Sequence, residues 1–359
     1  MTTLTALGGL NLLRSDGVHF DVEVSVLAGA LAPLVIGESE TGAASLQPGA
    51  RFAITIAKAY AGGDYGLDNV TIRVFVDDER VHEEHHDRGP LTQLGMHEWT
   101  WDGFTDQGKY STWDLVGTRI QVMVVARHYP LATGDIGYVD VRANRGRWRR
   151  WLWVEIDKAK KQADVWIRFG LQFMDDHARR GKSRYASLFV GGVEKYWSRN
   201  HADGPEIDGE RYAVRVHAEA LTQADENTLD FEIYWTNDTD YVRSHNTGII
   251  DGHVFYNAGA FATQPDADAR FEYTSAHEFG HTVLQLAGST HFSWTHKGST
   301  TLRQATHAQT PHYPPAPIEI EMMLYFLKPD PPASDFYARV HASNADVMRL
   351  VSIGDLELT

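Results

Sequence analysis

From residue 19 to about residue 143, apolar and polar positions alternate in short runs: HFDVEVSVL, RFAITIAKAY, VTIRVFVDD, HEWTWDGF, RIQVMVVARHY and IGYVDVRA. A period of two puts successive side chains on opposite faces of a strand, and the Gly and Asp turns between the runs predict an antiparallel β-sandwich. Trp99, Trp101 and Phe104 fall in one of these runs, where an aromatic cluster is expected to be core rather than a binding face. The segment HEEHH, after TIRVFVDDERV, has no apolar stripe at helical spacing and runs into Asp87-Arg88-Gly89-Pro90. It is expected to be a polar loop.

The pattern changes after a basic, structure-poor run, Asn144 to Arg150, which marks a boundary between a domain at 1–145 and one at 146–359. WLWVEID and ADVWIRFGLQF predict a strand pair around a polar turn at Lys158 to Gln162. Arg184 to Ser198 has the spacing of a helix, YAVRVHAEAL and TLDFEIYWT are expected strands, and IIDGHVFYNAG is one more. A second helix is expected over Phe271 to Ala287. Thr263-Gln264-Pro265-Asp266 supplies its start, Phe271, Val283, Leu284 and Leu286 its apolar faces, and Gly288 its stop. After Pro314, Pro315 and Pro317, the run EIEMMLYFL predicts a third helix. Together these elements predict an α+β chain, an N-terminal antiparallel β-sandwich followed by a second domain in which two helices pack on a sheet.

The second of those helices contains His277-Glu278-Phe279-Gly280-His281. Residues four apart on a helix share a face, so both imidazoles can reach one metal ion while Glu278 flanks it, which is the arrangement of a zinc hydrolase. HEEHH contains the same expression at His82, Glu83 and His86, but without helical context. Ser275 and Glu278 also form a capping-box pattern, which would reduce Glu278 to holding a backbone amide if the helix began at Ser275. The earlier start signal puts the motif in mid-helix instead, so the second domain is expected to be a zincin-like metallopeptidase domain.

Composition narrows the chemistry. The 359 residues contain no cysteine, so thiolate nucleophiles, disulfides and Cys-based zinc sites are excluded, and any metal must be held by His and carboxylates. The same absence excludes a deaminase reading of His217-Ala218-Glu219. A net charge of -15 argues against nucleic acid or an anionic membrane as partner, and no run is long enough to insert in a bilayer. The N-terminal run MTTLTALGGLNLLRSDG lacks the features of a secretory signal, so export is expected to be signal-independent.

A catalytic zinc needs three protein ligands, and a third His six residues after His281 is missing, since that position is Ala287. Glu319 or Glu321, at the start of the expected third helix, could complete a His-His-Glu set with His277 and His281; being two apart on a helix, only one of them can face the metal. Glu278 is the expected general base. His296 and Tyr313 are the available oxyanion donors.

HEFGHTVLQLAG, SWTHKGST and EIEMM, within Ser275 to Tyr325, resemble the metallopeptidase effectors of bacterial type VI secretion, including the toxin domain fused to some spike proteins. The resemblance covers roughly residues 150 to 330, with Glu321 standing where it implies Asp. It implies Zn2+ as cofactor, Glu319 as the preferred third ligand, His296 as an active-site residue, and Val254 to Asn257 as the edge strand that a substrate pairs with. It also implies a protein or peptide substrate in the periplasm of a target cell, a secretion-apparatus spike and a cognate immunity protein as partners, and an adaptor role for the N-terminal domain. Two other functions fit the same residues: an inactive zincin-fold binding protein, or a zinc amidase acting on peptidoglycan.

Overall fold

The computed structural model of this chain describes residues 19–34, 49–59, 66–128, 134–146, 149–174, 181–221, 223–236, 252–257, 265–287, 297, 306 and 308–359. They fall into two compact units, one drawn from 1–33, 46–146 and 355–359, the other from 34–45 and 147–354. In chain order the first unit carries β1 (Phe20–Ala28), β2 (Ala30–Leu31), β3 (Ala50–Lys58), β4 (Asn69–Val76), β5 (Glu79–His86), β6 (Gly95–Trp101), β7 (Lys109–Ser111), α1 (Thr112–Leu115), β8 (Arg119–Arg127) and β9 (Asp135–Asn144). The second carries β10 (Leu152–Asp157), β11 (Gln162–Phe173), α2 (Lys182–Trp197), β12 (Glu206–Ile207), β13 (Glu210–Arg211), β14 (Ala213–Leu221), β15 (Leu229–Thr236), β16 (Gly252–Asn257), α3 (Ala267–Leu286), β17 (Ile320–Glu321), α4 (Ala333–Arg339), β18 (Val340–His341) and α5 (Asn344–Ser352). The last strand, β19 (Leu356–Leu358), returns to the first unit.

In the first unit two antiparallel sheets, β1-β3-β6 and β2-β19-β9-β8-β4-β5, each bury one face. Alternation decides which face. Phe20, Val24, Phe52, Ile54 and Ile56 of one sheet are buried, as are Val70, Ile72, Val74, Ile120, Val122 and Val124 of the other. Trp99, Trp101 and Phe104 are buried as well. β19 lies between β2 and β9, whereas the sequence placed all of 146–359 in the second domain; three residues are too few to carry a period-two signal.

HEEHH is a correction. It is strand, not loop: β5 pairs antiparallel with β4 across a two-residue turn in which Asp77 (φ 46°) and Asp78 (φ 71°) are both left-handed. That is the twist a tight hairpin requires, and Asp tolerates it. Polar residues on both faces hid the strand, because β5 is the last strand of its sheet and buries neither face fully.

In the second unit β10 and β11 form the expected hairpin, and β14 runs parallel to β11 along Gln162 to Gly170. β15 pairs parallel with β11 along Phe169 to Phe173, and β16, parallel to β15, ends the sheet. Parallel neighbours need a crossover, which α2 supplies between β11 and β14. The rings of Phe169 (β11), Phe189 (α2) and Phe231 (β15) meet at centroid distances of 5.0 to 5.8 Å, and Phe279 of α3 joins Phe169 at 5.5 Å. This cluster seats both helices on the sheet. The class is α+β with extensive antiparallel sheet.

EIEMMLYFL is a second correction. It is not a helix: β17 pairs parallel with β18, and the chain then turns at Met322 and Met323. Ile320, Met322 and Met323 are buried, and a short apolar run cannot by itself distinguish strand from helix.

Candidate functional site

α3 places His277, Glu278 and His281 in its interior, ten residues and more from its first turn at Ala267. Ser275 caps nothing. Its hydroxyl donates to the Phe271 carbonyl one turn back (2.8 Å), so the capping-box alternative for Glu278 falls away.

Three contacts fix the rotation of this helix. The Trp197 indole of α2 donates to the Ala276 carbonyl (3.0 Å). Phe279 points into the aromatic cluster, edge-on to Trp197 at 5.3 Å and to Trp151 at 6.1 Å. Gly280, in the middle of the motif, admits Met323: a Cβ there would lie 2.5 Å from the Met323 sulfur.

With the helix so turned, the two imidazoles stand perpendicular to one another with centroids 5.0 Å apart. Glu278 is 3% exposed, and its Oε2 lies 3.9 Å from the His281 Nε2. The His277 Nδ1 meets the Met322 carbonyl at 3.1 Å. A carbonyl only accepts, so Nδ1 carries the proton; an outer-shell acceptor fixes the tautomer of a metal-binding His in this way. Tyr273, one turn before His277, lies 5.6 Å from that imidazole, and burial pushes its phenol pKa up, so it stays protonated at neutral pH. Its place on the 273, 277, 281 stripe was readable from sequence as an i, i+4, i+8 series. The Met322 carbonyl was not, because the run that carries it was expected to be helix.

The two acids expected as third ligand are held elsewhere. Both Glu319 oxygens accept from the Arg199 guanidinium (3.0 and 2.6 Å), a buried cation that also donates to Asn344. Glu321 pairs with Lys297 at 2.5 Å, and the same ammonium meets both oxygens of the fully buried Asp346 at 2.8 Å. Among the described residues no group of three His, Cys, Asp or Glu side chains is placed to hold a metal ion. His277 and His281 therefore fit two positions of a zinc site, and the described residues do not supply the third. The cations that hold these two acids, Arg199 and Lys297, come from elsewhere in the sequence. His296 lies outside the described residues. Tyr313 stacks on Phe326 at 4.6 Å; burial, with a smaller contribution from a hydrogen-bonded Asp330, raises its pKa. His217 stacks on Trp166 and bonds Asp164 (2.9 Å), a sheet-surface contact.

An expected outcome follows for Glu319. Glu319→Gln takes one of two acceptors and the balancing negative charge from the buried Arg199 fork, so urea unfolding should show a loss of about 1–3 kcal/mol, while the zinc content of the purified protein stays that of the wild type.

Comparison with known proteins adds little. No family model matches the chain, and no curated protein does. Among solved structures, a crystal structure of the CARDB domain of a Pyrococcus furiosus protein in complex with di-metal ions is similar over 35% of this chain and 94% of that one. The identity is 15% and the TM-score 0.17, too low for the likeness to carry an argument.

Proposed function

We propose that this chain is a zinc-dependent peptidase. The observation that carries the reading is the buried acid Glu278 between two imidazoles of one helix, His277 and His281, with the His277 Nδ1 committed to the Met322 carbonyl. His277 and His281 would hold the ion. Zinc, when bound, supplies Lewis acidity to a scissile carbonyl and to the attacking water. Glu278 takes the proton of that water on its carboxylate and returns it to the leaving amine. Among the described residues β16 ends the sheet, an edge along which an extended peptide could add.

The effector role rests on the resemblance of HEFGHTVLQLAG, SWTHKGST and EIEMM. In that reading the chain acts in the periplasm of a target cell, travels with a spike, and is neutralised in the producer by an immunity protein.

The test is to purify the chain, measure its zinc, and incubate it with unfolded casein and with peptidoglycan sacculi. Near-stoichiometric zinc, cleaved casein and intact sacculi are expected. A metal-free wild type sinks the proposal, and cleavage of sacculi alone turns it into a peptidoglycan amidase. A second reading, a zincin-fold binding protein without activity, is favoured by the missing third ligand among the described residues. It requires that Glu278→Ala leave the biological effect intact.

A further inference from the structure

HEEHH, excluded from the metal chemistry, builds a different device. On β5 the side chains of His82, Glu84 and His86 share one face, as residues two apart on a strand must. Glu84 lies between the two rings, accepting from the His82 Nε2 and the His86 Nε2, each at 3.0 Å, and from the Trp99 indole at 3.1 Å. Trp99 is on β6, in the other sheet of the unit, and its ring stacks on His82 at 6.3 Å. The second ring nitrogen of His82, Nδ1, meets Asp106 at 2.9 Å.

Asp106 belongs to the loop between β6 and β7, and this loop covers the open edge of β5. The Asp106 amide donates to the Val81 carbonyl (2.9 Å), and its carboxylate accepts the Glu83 amide (3.2 Å). Val81 is the extra residue of a bulge, since His82 pairs with Val74 and Arg80 with Phe75. Two backbone groups that would otherwise be presented as a template for another strand are thus taken by one loop residue.

Both His82 nitrogens face carboxylates, which only accept. A neutral imidazole has one N–H and satisfies one of them, turning a lone pair toward the other; only the imidazolium satisfies both. We propose that the β6–β7 loop is an acid-set latch, in which protonated His82 pins Asp106 over the edge of β5 and loss of that proton releases the edge.

The groups facing His82 are few. Glu84, with His86 beyond it, comes from β5 and Asp106 from the loop; Trp99 of β6 and Val74 of β4 bring no charge. Arg73, Arg80 and His85 meet Glu83 on the opposite face. The hydrogen bond that His82 donates to Glu84 is the largest cause both of the His82 pKa being raised above 6.5 and of Glu84 being held down at about 2. The sign follows. The His82 contribution is complete below pH 6.5 and is lost as pH rises through its folded value, while that of Glu84 is complete above 4.5 and is lost as pH falls toward 2. The latch is therefore tightest in mild acid.

Hydrogen exchange of the full chain tests this, read as protection factors for the segment 81–84 and, as an internal control, for Val122 to Val124 on β8. Between about pH 5.5 and pH 8 the edge segment should lose protection at least about tenfold, the effect of losing one hydrogen bond between charged partners, with β8 unchanged. His82→Gln should show low protection at both pH values. Equal protection of 81–84 in the wild type at both pH values overturns the proposal, and so does a pH dependence that persists in His82→Gln, because another group would then be titrating.

Discussion

Replacing Glu278 by Gln is expected to reduce peptide hydrolysis by about two to four orders of magnitude, the usual contribution of a general base, with zinc content and circular dichroism unchanged. Gln has the same shape and keeps one acceptor, but its amide takes no proton at the pH of the reaction. Because Glu278 is buried within α3, an isosteric neutral group should be tolerated where a truncation would leave a cavity. His277→Ala should behave differently, losing both zinc and activity, because the imidazole prepared by the Met322 carbonyl is gone. The pair separates base from ligand. If Glu278→Gln hydrolyses casein at the wild-type rate, Glu278 is not the base and the peptidase reading loses its main support. If His277→Ala retains zinc, the ion is held elsewhere.

Much of this site was legible because a helix converts sequence spacing into geometry at fixed pitch. His277 and His281 had to share a face once the start signal at Pro265-Asp266 put the motif in mid-helix, and the Ser275 back-bond to Phe271 agrees. The strands of the first unit were legible for the same reason, with a period of two in place of 3.6. What was not legible depended on partners far away in the chain. Glu319 had the right chemistry for a ligand, but nothing near it in sequence signals Arg199, 120 positions upstream. EIEMMLYFL had enough apolar residues for a helix, and its pairing with Val340 and His341 is invisible in the run itself. HEEHH failed through turn chemistry. The Asp77-Asp78 pair at the end of a clean strand was the signal of a hairpin, and a polar second arm is what an edge strand should look like.

Two adjacent glycines in α2 should respond to the same substitution with opposite signs. Gly191 has nothing within 4 Å of where a Cβ would stand, so Gly191→Ala replaces a poor helix former by the best one and should stabilise the chain by about 0.5–1 kcal/mol. A Cβ on Gly192 would lie 2.3 Å from the Glu272 carbonyl oxygen and 2.8 Å from its Cα. These are backbone atoms of α3, and no side-chain rotamer relieves the overlap. Gly192→Ala must separate the two helices, and a loss of about 3 kcal/mol or more is expected, at or beyond the upper end for an overpacked core. The separation also acts on the site. Glu272 lies one turn before the Ala276 carbonyl that anchors Trp197, and His277 follows directly, so moving α3 shifts its imidazole relative to the Met322 carbonyl. Urea midpoints should therefore move up for Gly191→Ala and down for Gly192→Ala, with zinc affinity unchanged in the first and weakened in the second. A shift of the same sign in both would mean that the close approach of α2 to α3 does not set the geometry of the motif helix, and the account of how His277 and His281 are held in place would have to be rebuilt from the sheet side alone.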